Sequence, residues 1–551
     1  MRASVARPAY ALLLALLVVA PLLRPGYLLL RDAVSTPRSY LSDTALGLSS
    51  APRATPQDFA VALASSLVDG GIVVKTLLVL GLFLAGLGAA RLVAVVLPAA
   101  GLGGQFVAIT LAIWNPYVAE RLLQGHWSLL VGYGCLPWVA SAMLRRSFFE
   151  LGFWVALAGL TPTGLLLAAT VALVCAGRGR WLFAPLGVAM VAALPWLVAA
   201  VAGSSLGAGA PGVTVFAARA EPGLGTLGSL ASLGGIWNGE AVTASRATLF
   251  ALVSASVLLG VVLLGVPVVA RRPAALPLLV LAFAAVVVPA LLATGPGLHA
   301  LGAVVDFAPG LGVLRDGQKW VALAMPGYAL AGAGAVIPLG RWLRPSGAAV
   351  VCCLALVLAL PDLAWGVWGR VTPVHYPAGW AAVAAEINAA PGPVTVLPLG
   401  TMRRFDWSGP APVLDPLQRW VRADVLATGD LVISGVTVPG EGAHARAVSG
   451  LLLGGPDPSA LASAGVTWLV VEADTPGDMG SSGRTLDRLS PVYRDRSLVL
   501  YRVGGRGAPA RGRAVVLAAH WMWLALLIVG GAECVLRAGK RKCRPESTLG
   551  E

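Results

Sequence analysis

Apolar runs long enough to span a bilayer, or nearly so, recur along the whole chain, and that pattern limits the fold before any motif is considered. They lie at roughly 9–30, 72–90, 92–113, 128–144, 148–161, 163–177, 181–203, 248–270, 274–294, 320–340, 346–363 and 514–536. With 57% of its 551 residues hydrophobic and 12% charged, the chain is too apolar for a water-soluble globule. The sequence therefore predicts a polytopic α-helical membrane protein with about 12 transmembrane helices. The runs at 148–161 and 163–177 are short and meet at Thr161-Pro162-Thr163-Gly164, a helix-breaking combination that predicts a bent or re-entrant pair.

The formal net charge of +14 would suit a nucleic-acid partner, but most basic residues outside the C-terminal third sit between apolar runs, where they set topology. Arg2 and Arg7, Arg91, Arg145 and Arg146, Arg178 and Arg180, Arg271 and Arg272, Arg341 and Arg344, and the tail from Arg537 to Arg544 fall on one side if every run crosses. Both termini are then cytoplasmic in a plasma-membrane protein. The N-terminal basic and apolar stretch is read as an uncleaved first helix. The six cysteines, Cys543 in the tail among them, lie in apolar runs or the tail, so neither an exported disulfide framework nor a metal site is expected.

Between roughly 370 and 513 the pattern changes to alternating stretches, PVTVLPL, LVISGVTV, VTWLVVEA and SLVLYRV, separated by Gly, Pro and Asp turns, with GWAAVAAEINAA as a helix. We read a transmembrane domain over 1–363, a small extracytoplasmic α/β domain over 364–513, and a final helix with a basic tail over 514–551.

Three outward-facing segments carry candidate chemistry. In GYLLLRDAVSTPRSYLSD, Asp32 follows the first apolar run, and the loop adds Arg31, Arg38, Asp43, Arg53 and Asp58. A carboxylate at a low-dielectric wall is suited to general-base work, and a neighbouring arginine would orient it; capping or pairing of the helix end is the alternative. WNPYVAERLLQGHWSLLVGYGCLPW offers Asn115, Tyr117, Glu120, Arg121, Gln124 and His126, suited to sugar hydroxyls and a phosphate, or to an aromatic belt with a surface ion pair. Arg315, Asp316 and Lys319 precede the tenth run. Two cations on the outer side can grip an anionic headgroup, or snorkel to lipid phosphates.

No GxxxxGK[ST] loop, HExxH or DxD pair is present, which disfavours an ATP-driven pump or a nucleotide-sugar enzyme. Ionisable residues deep in the apolar runs are scarce, which disfavours ion-coupled transport.

Taken together, the acidic loop after the first helix, the NPYVAERLLQGHWSLLVGYGCLPW segment, LRDGQKW, and the YPAGW and LPLGTMRRFDW openings of the α/β region resemble one group. They are similar to actinobacterial membrane proteins of the GT-C glycosyltransferase superfamily, close to the mycobacterial cell-wall arabinofuranosyltransferases and more distantly to YfhO-type proteins. The resemblance implies transfer of a sugar from a polyprenyl-phosphate carrier to a cell-envelope glycan or glycolipid on the outer face, with a first-loop carboxylate as base. That position matches Asp32, with Asp43 as a second acidic candidate, although Arg31 stands where many members carry another acidic residue. Arg315 and Lys319, with Arg121, would hold the donor phosphate. Asn115, Tyr117, Glu120, His126 and Asp316 would bind substrate, and Trp380, Trp407 and Trp420 would stack on sugar or fill a core. No metal or other cofactor is expected. A non-catalytic scaffold of the same fold and a lipid-linked-sugar transporter are the alternatives.

Overall fold

Proline, glycine and capping side chains, rather than the arginines, set where the apolar runs stop being helical. The computed structural model describes residues 2–49, 54–177, 179–203, 212–307, 309–507 and 510–542. Arg53, Arg178, Cys543 and Arg544 lie outside them.

The first half comprises α1 (Arg2–Val19), α2 (Gln57–Ala64), α3 (Gly70–Val96), α4 (Gly101–Ile113), α5 (Pro116–Gln124), α6 (Trp127–Leu144), α7 (Phe148–Ala158), α8 (Pro162–Ala176) and α9 (Phe183–Ala202). The second half of the bundle comprises α10 (Gly225–Ala231), α11 (Phe250–Val269), α12 (Leu276–Leu292), α13 (Gly295–Phe307) and α14 (Met325–Leu358), and helix Arg513–Lys542 closes it. Among the described residues, seven helices are long and apolar enough to cross a membrane, or eight if α12 and α13, bent by 95°, form one span. The chain is a multi-pass membrane protein.

The difference from the twelve runs has local causes. The short pair α7 and α8 meets at Thr161, whose hydroxyl caps Gly164 N at 3.0 Å, so this break follows the sequence expectation. The last two apolar runs before the α/β region join in α14 across a break at Arg344 (φ 58°, ψ 152°). Arg91 does not separate two helices. It lies inside α3, where its guanidinium stands 3.5 Å from Glu150. Arg145 pairs with the same carboxylate, Arg146 lies over Trp181 and Arg537 over Phe149. Basic residues from separate segments therefore gather at the C-terminal end of α6.

The first helix ends well before residue 30. After a 3₁₀ turn the chain forms a hairpin, β1 (Leu29–Leu30) with β2 (Ala33–Val34), pairing Leu30 with Ala33. Arg31 and Asp32 are thus its two-residue turn.

The α/β domain contains β3 (Val394–Leu397), β4 (Met402–Arg403), β5 (Val413–Leu414), β6 (Leu431–Ile433), β7 (Val436–Val438), β8 (Trp468–Glu472), β9 (Pro491–Arg494) and β10 (Leu498–Arg502). Its main sheet has the order β3-β8-β10-β9, with β3 and β8 parallel and the other pairs antiparallel. LVISGVTV is a hairpin, not one strand, because Ser434 and Gly435 both take positive φ. The hairpin at Arg31 stitches this domain to the bundle: Arg31 N donates to Pro412 O at 2.9 Å and Leu414 N to Arg31 O at 2.9 Å. Leu29 and Val34 share one core with Trp380, Phe405 and Trp420.

Candidate functional site

The site begins with a close crossing. Asn115 caps α5 through its Oδ1 on Val118 N (3.1 Å), Pro116 occupies the first turn, and Gly125 ends the helix in the left-handed region. A β-carbon at Gly125 would lie 2.3 Å from Ala33 N and 2.4 Å from Leu30 O, so the hairpin can rest on this helix end only because glycine is there. Asp32 N then donates to Gln124 O at 3.3 Å.

This docking puts the Asp32 side chain beside α5 and the start of α6. Its Oδ2 lies 2.8 Å from His126 Nε2 and accepts from Gln124 Nε2 at 3.2 Å; Asn238 Nδ2 holds the Gln124 amide oxygen at 2.8 Å. The Asp32 side chain keeps 38% of its surface exposed, so the carboxylate is both held and accessible. Arg31 adopts φ 50°, a backbone that favours glycine. Its guanidinium donates to Leu123 O at 2.6 Å and pairs with Glu240 at 3.3 Å.

The His126 tautomer follows from its other neighbour. Nδ1 lies 3.1 Å from Arg121 Nη1, and a guanidinium has only hydrogens to offer. Nδ1 therefore accepts, the ring proton sits on Nε2, and Nε2 donates to Asp32. Arg121 is fully buried and grips Asp316 with both terminal nitrogens, at 2.9 and 3.1 Å, while Nη2 also bonds Gln318. Lys319 stands 3.8 Å from Asp316.

Burial opposes the charge on Asp32, but the His126 and Gln124 hydrogen bonds and the charge of Lys319 outweigh it and hold the carboxyl below its ordinary range. Burial holds His126 below its ordinary value, against the pull of Asp32. Asp316 is likewise penalised by burial, but Arg121 and Lys319 bring it down to about 2. Glu120 moves the other way: buried, and facing the carboxylate of Glu221, it is raised well above the carboxylate range. It receives Gly235 N, Ile236 N and Gln318 Nε2 at 3.1, 3.2 and 2.9 Å.

These contacts redistribute the sequence-derived candidates. Asp32, His126 and Lys319 come together, with Lys319 acting electrostatically on both other groups. Asp43 does not join them; it pairs with Arg513 at the start of the last helix. Arg121 is committed to Asp316 and His126, so it is placed to orient rather than to grip a phosphate. Asn115 is a cap, Tyr117 is buried against Tyr133 with ring centroids 5.2 Å apart, and Glu120 and Asp316 are buried network members. None of these four is positioned to meet a substrate. Trp380 and Trp420 are buried, and both stand with Trp407 around Tyr376 in the α/β core, which answers the choice between core and sugar platform in favour of core.

Arg315 faces the other side of its segment. It lies 5.1 Å over Phe216 and lines an apolar cavity of about 330 Å³ with Leu281, Pro289, Leu292 and Trp320. Asn238 and Glu240 were not legible as site residues, since they lie in a long loop without a motif. The Asn-Gly-Glu turn was the only signal there.

No protein-family model and no curated protein sequence matches the chain. Solved structures do. The cryo-EM structure of the arabinofuranosyltransferase AftD from mycobacteria aligns over 91% of this chain at 18% identity with a TM-score of 0.59. A point-mutant form of that enzyme aligns in two classes, at TM-scores of 0.52 and 0.50 and identities of 18% and 17%. The chain spans 40–41% of the length of those proteins. The likeness read from the motifs thus has a counterpart in three dimensions: this chain shares the fold of the aligned part of a mycobacterial arabinofuranosyltransferase.

Proposed function

We propose that the protein is a polyprenyl-phosphate-sugar-dependent glycosyltransferase of cell-envelope assembly, acting on the outer face of the membrane. The observation that carries this reading is the union of an accessible carboxylate, a tautomer-fixed histidine and a lysine from three distant segments. Asp32 takes the proton from the acceptor hydroxyl. The hydroxyl oxygen attacks the anomeric carbon from the face opposite the phosphate, the carbon–oxygen bond to phosphate breaks, and the configuration inverts. Lys319 meets the charge developing on the leaving phosphate. His126 and Gln124 aim the Asp32 carboxylate, and Arg121 fixes the His126 tautomer. The apolar cavity beside Arg315 offers the carrier's hydrocarbon a place next to the same segment.

Sidedness is supported by α6. Its 18 residues span about 27 Å at 1.5 Å per residue, with His126 before its first turn and the basic cluster at Arg145 after its last. Basic residues mark the cytoplasmic side, so the Asp32 group and the α/β domain attached to it face out. On this reading both termini are cytoplasmic, and the short helices α7 and α8 form a hairpin that leaves and returns to the basic side, since Arg146 before α7 lies over Trp181 after α8.

The test is transfer by purified protein in liposomes, with a polyprenyl-phosphate-linked sugar as donor and an envelope glycan as acceptor. The expected result is release of polyprenyl phosphate in step with an inverted linkage. Transfer from a nucleotide sugar instead would overturn the reading, and donor binding without turnover would replace it with a non-catalytic scaffold.

A further inference from the structure

A second opening in the bundle lies away from the Asp32 group. Between α1 and α3 runs a groove of about 890 Å³ walled by Leu12, Leu23, Val79, Leu80 and Phe83, with Arg24 at its mouth. It shares no lining residue with the cavity beside Arg315.

Its depth is informative. Ile72 and Phe83 both line it and stand eleven residues apart on α3, about 16 Å of helix. That is about half of a ~30 Å hydrocarbon core, so the groove covers one leaflet. A long polyprenyl chain would overrun it, whereas an acyl chain anchored at the mouth fits it.

The mouth is cationic. Asp69 is already engaged, accepting from Gly71 N (2.8 Å), Ile72 N (3.3 Å) and the Tyr27 hydroxyl (2.8 Å). Lys75 Nζ gives two of its three hydrogens to the carbonyls of Arg24 and Gly26, at 2.6 and 2.7 Å. The Arg24 side chain is exposed and bonds no described residue. Two cations thus stand against one satisfied carboxylate, and a guanidinium is shaped for bidentate contact with phosphate.

We propose that this groove seats an anionic diacyl phospholipid of the outer leaflet, one acyl chain along α1 and α3 and its phosphate on Arg24. Apolar walls admit any lipid chain; Arg24 selects the headgroup. Lys75 braces the backbone of Arg24 and Gly26 a few residues before Asp32, so the lipid buttresses the chain that enters the β1–β2 hairpin. The proposal stands on the groove and its charges; only the choice of leaflet rests on the sidedness reading above, and none of it on the transfer chemistry.

Native mass spectrometry of the full chain, released from nanodiscs of phosphatidylglycerol and phosphatidylcholine, tests it. The wild type should retain phosphatidylglycerol in preference, and Arg24→Gln should lose that preference by at least about fivefold, the loss of one charge-assisted contact. Thr76→Trp, at an exposed groove position, should expel both lipids without lowering the melting temperature. Equal retention of the two lipids by the wild type, or unchanged retention in either variant, overturns the proposal. So does displacement of phosphatidylglycerol by added polyprenyl phosphate that Arg24→Gln abolishes, because the groove would then belong to the carrier.

Discussion

His126 Nε2 lies 2.8 Å from Asp32 Oδ2 while its Nδ1 faces the Arg121 guanidinium at 3.1 Å. The ring can therefore only donate toward the carboxylate, and Asp32 is aimed by a chain of contacts that begins at the buried Arg121–Asp316 pair. The loss of the carboxylate and the loss of its orientation should accordingly differ in the laboratory.

If Asp32 is the base of the proposed transfer, replacement Asp32→Asn removes it and keeps the shape. Sugar transfer should fall by about 10²–10⁴-fold with binding of the lipid-linked donor unchanged. Single-turnover assays beside donor titration measure both, and full activity in Asp32→Asn would remove Asp32 from the mechanism.

The pH profile should report the His126 contact. Hydrogen bonds and the Lys319 charge hold Asp32 below its ordinary range against burial, so the base stays ionised as the pH falls and is lost only when the pH drops through its lowered pKa. In His126→Gln a donor to the charged form is changed and the acid limb of the rate profile should move to higher pH. An unmoved limb would mean that another group sets it.

Asp316→Asn leaves Arg121 charged and buried with one anionic partner fewer. A cost of about 3–5 kcal/mol is expected for breaking such a pair, seen as a lowered thermal midpoint in detergent. The double replacement Arg121→Met with Asp316→Leu should recover much of that stability and yet stay slow, because His126 has lost its orienting contact.

At Gly125, φ is +83° and the space for a side chain is taken by Ala33 N and Leu30 O. Gly125→Ala should cost about 1–2 kcal/mol from the left-handed backbone alone, and displacement of the hairpin should lower transfer beyond that. Activity and melting temperature measured together check it.

Trp380→Ala distinguishes a core from a sugar platform. Its indole is buried with Phe405 and Trp420, so the change should cost about 3–5 kcal/mol and loosen the α/β domain. Selective loss of glycan affinity in a domain of unchanged stability would contradict that.

The membrane class was plain from the apolar runs, and Asp32, His126 and Lys319 were each visible as charges or rings at the edges of those runs. Their union was not, because it depends on a two-residue hairpin that an uninterrupted LLLRDAV does not announce: Arg31 holds a positive φ more often given to glycine. Helix ends were misplaced where hydropathy alone was followed. Arg91 stays within α3 because Glu150 partners it there, so charge was no guide to the boundary, whereas Pro98 begins the 3₁₀ turn that does end the helix run. Arg121 and Glu120 lie in a buried network, since a sequence shows charge without showing that Asp316 pairs with Arg121 or that burial opposite Glu221 lifts the Glu120 carboxyl.

The turn that carries Asp32 is bonded on one side to the end of α5, through Gln124 O, and on the other to Pro412 and Leu414 of the α/β domain. It works as a rivet through two plates. On the transferase reading, a glycan that tilted the α/β domain would drag the Arg31 backbone, and with it the Asp32 carboxylate next door. Acceptor length and branching would then be readable at the reacting atoms through leverage, with no sugar needing to touch the bundle itself.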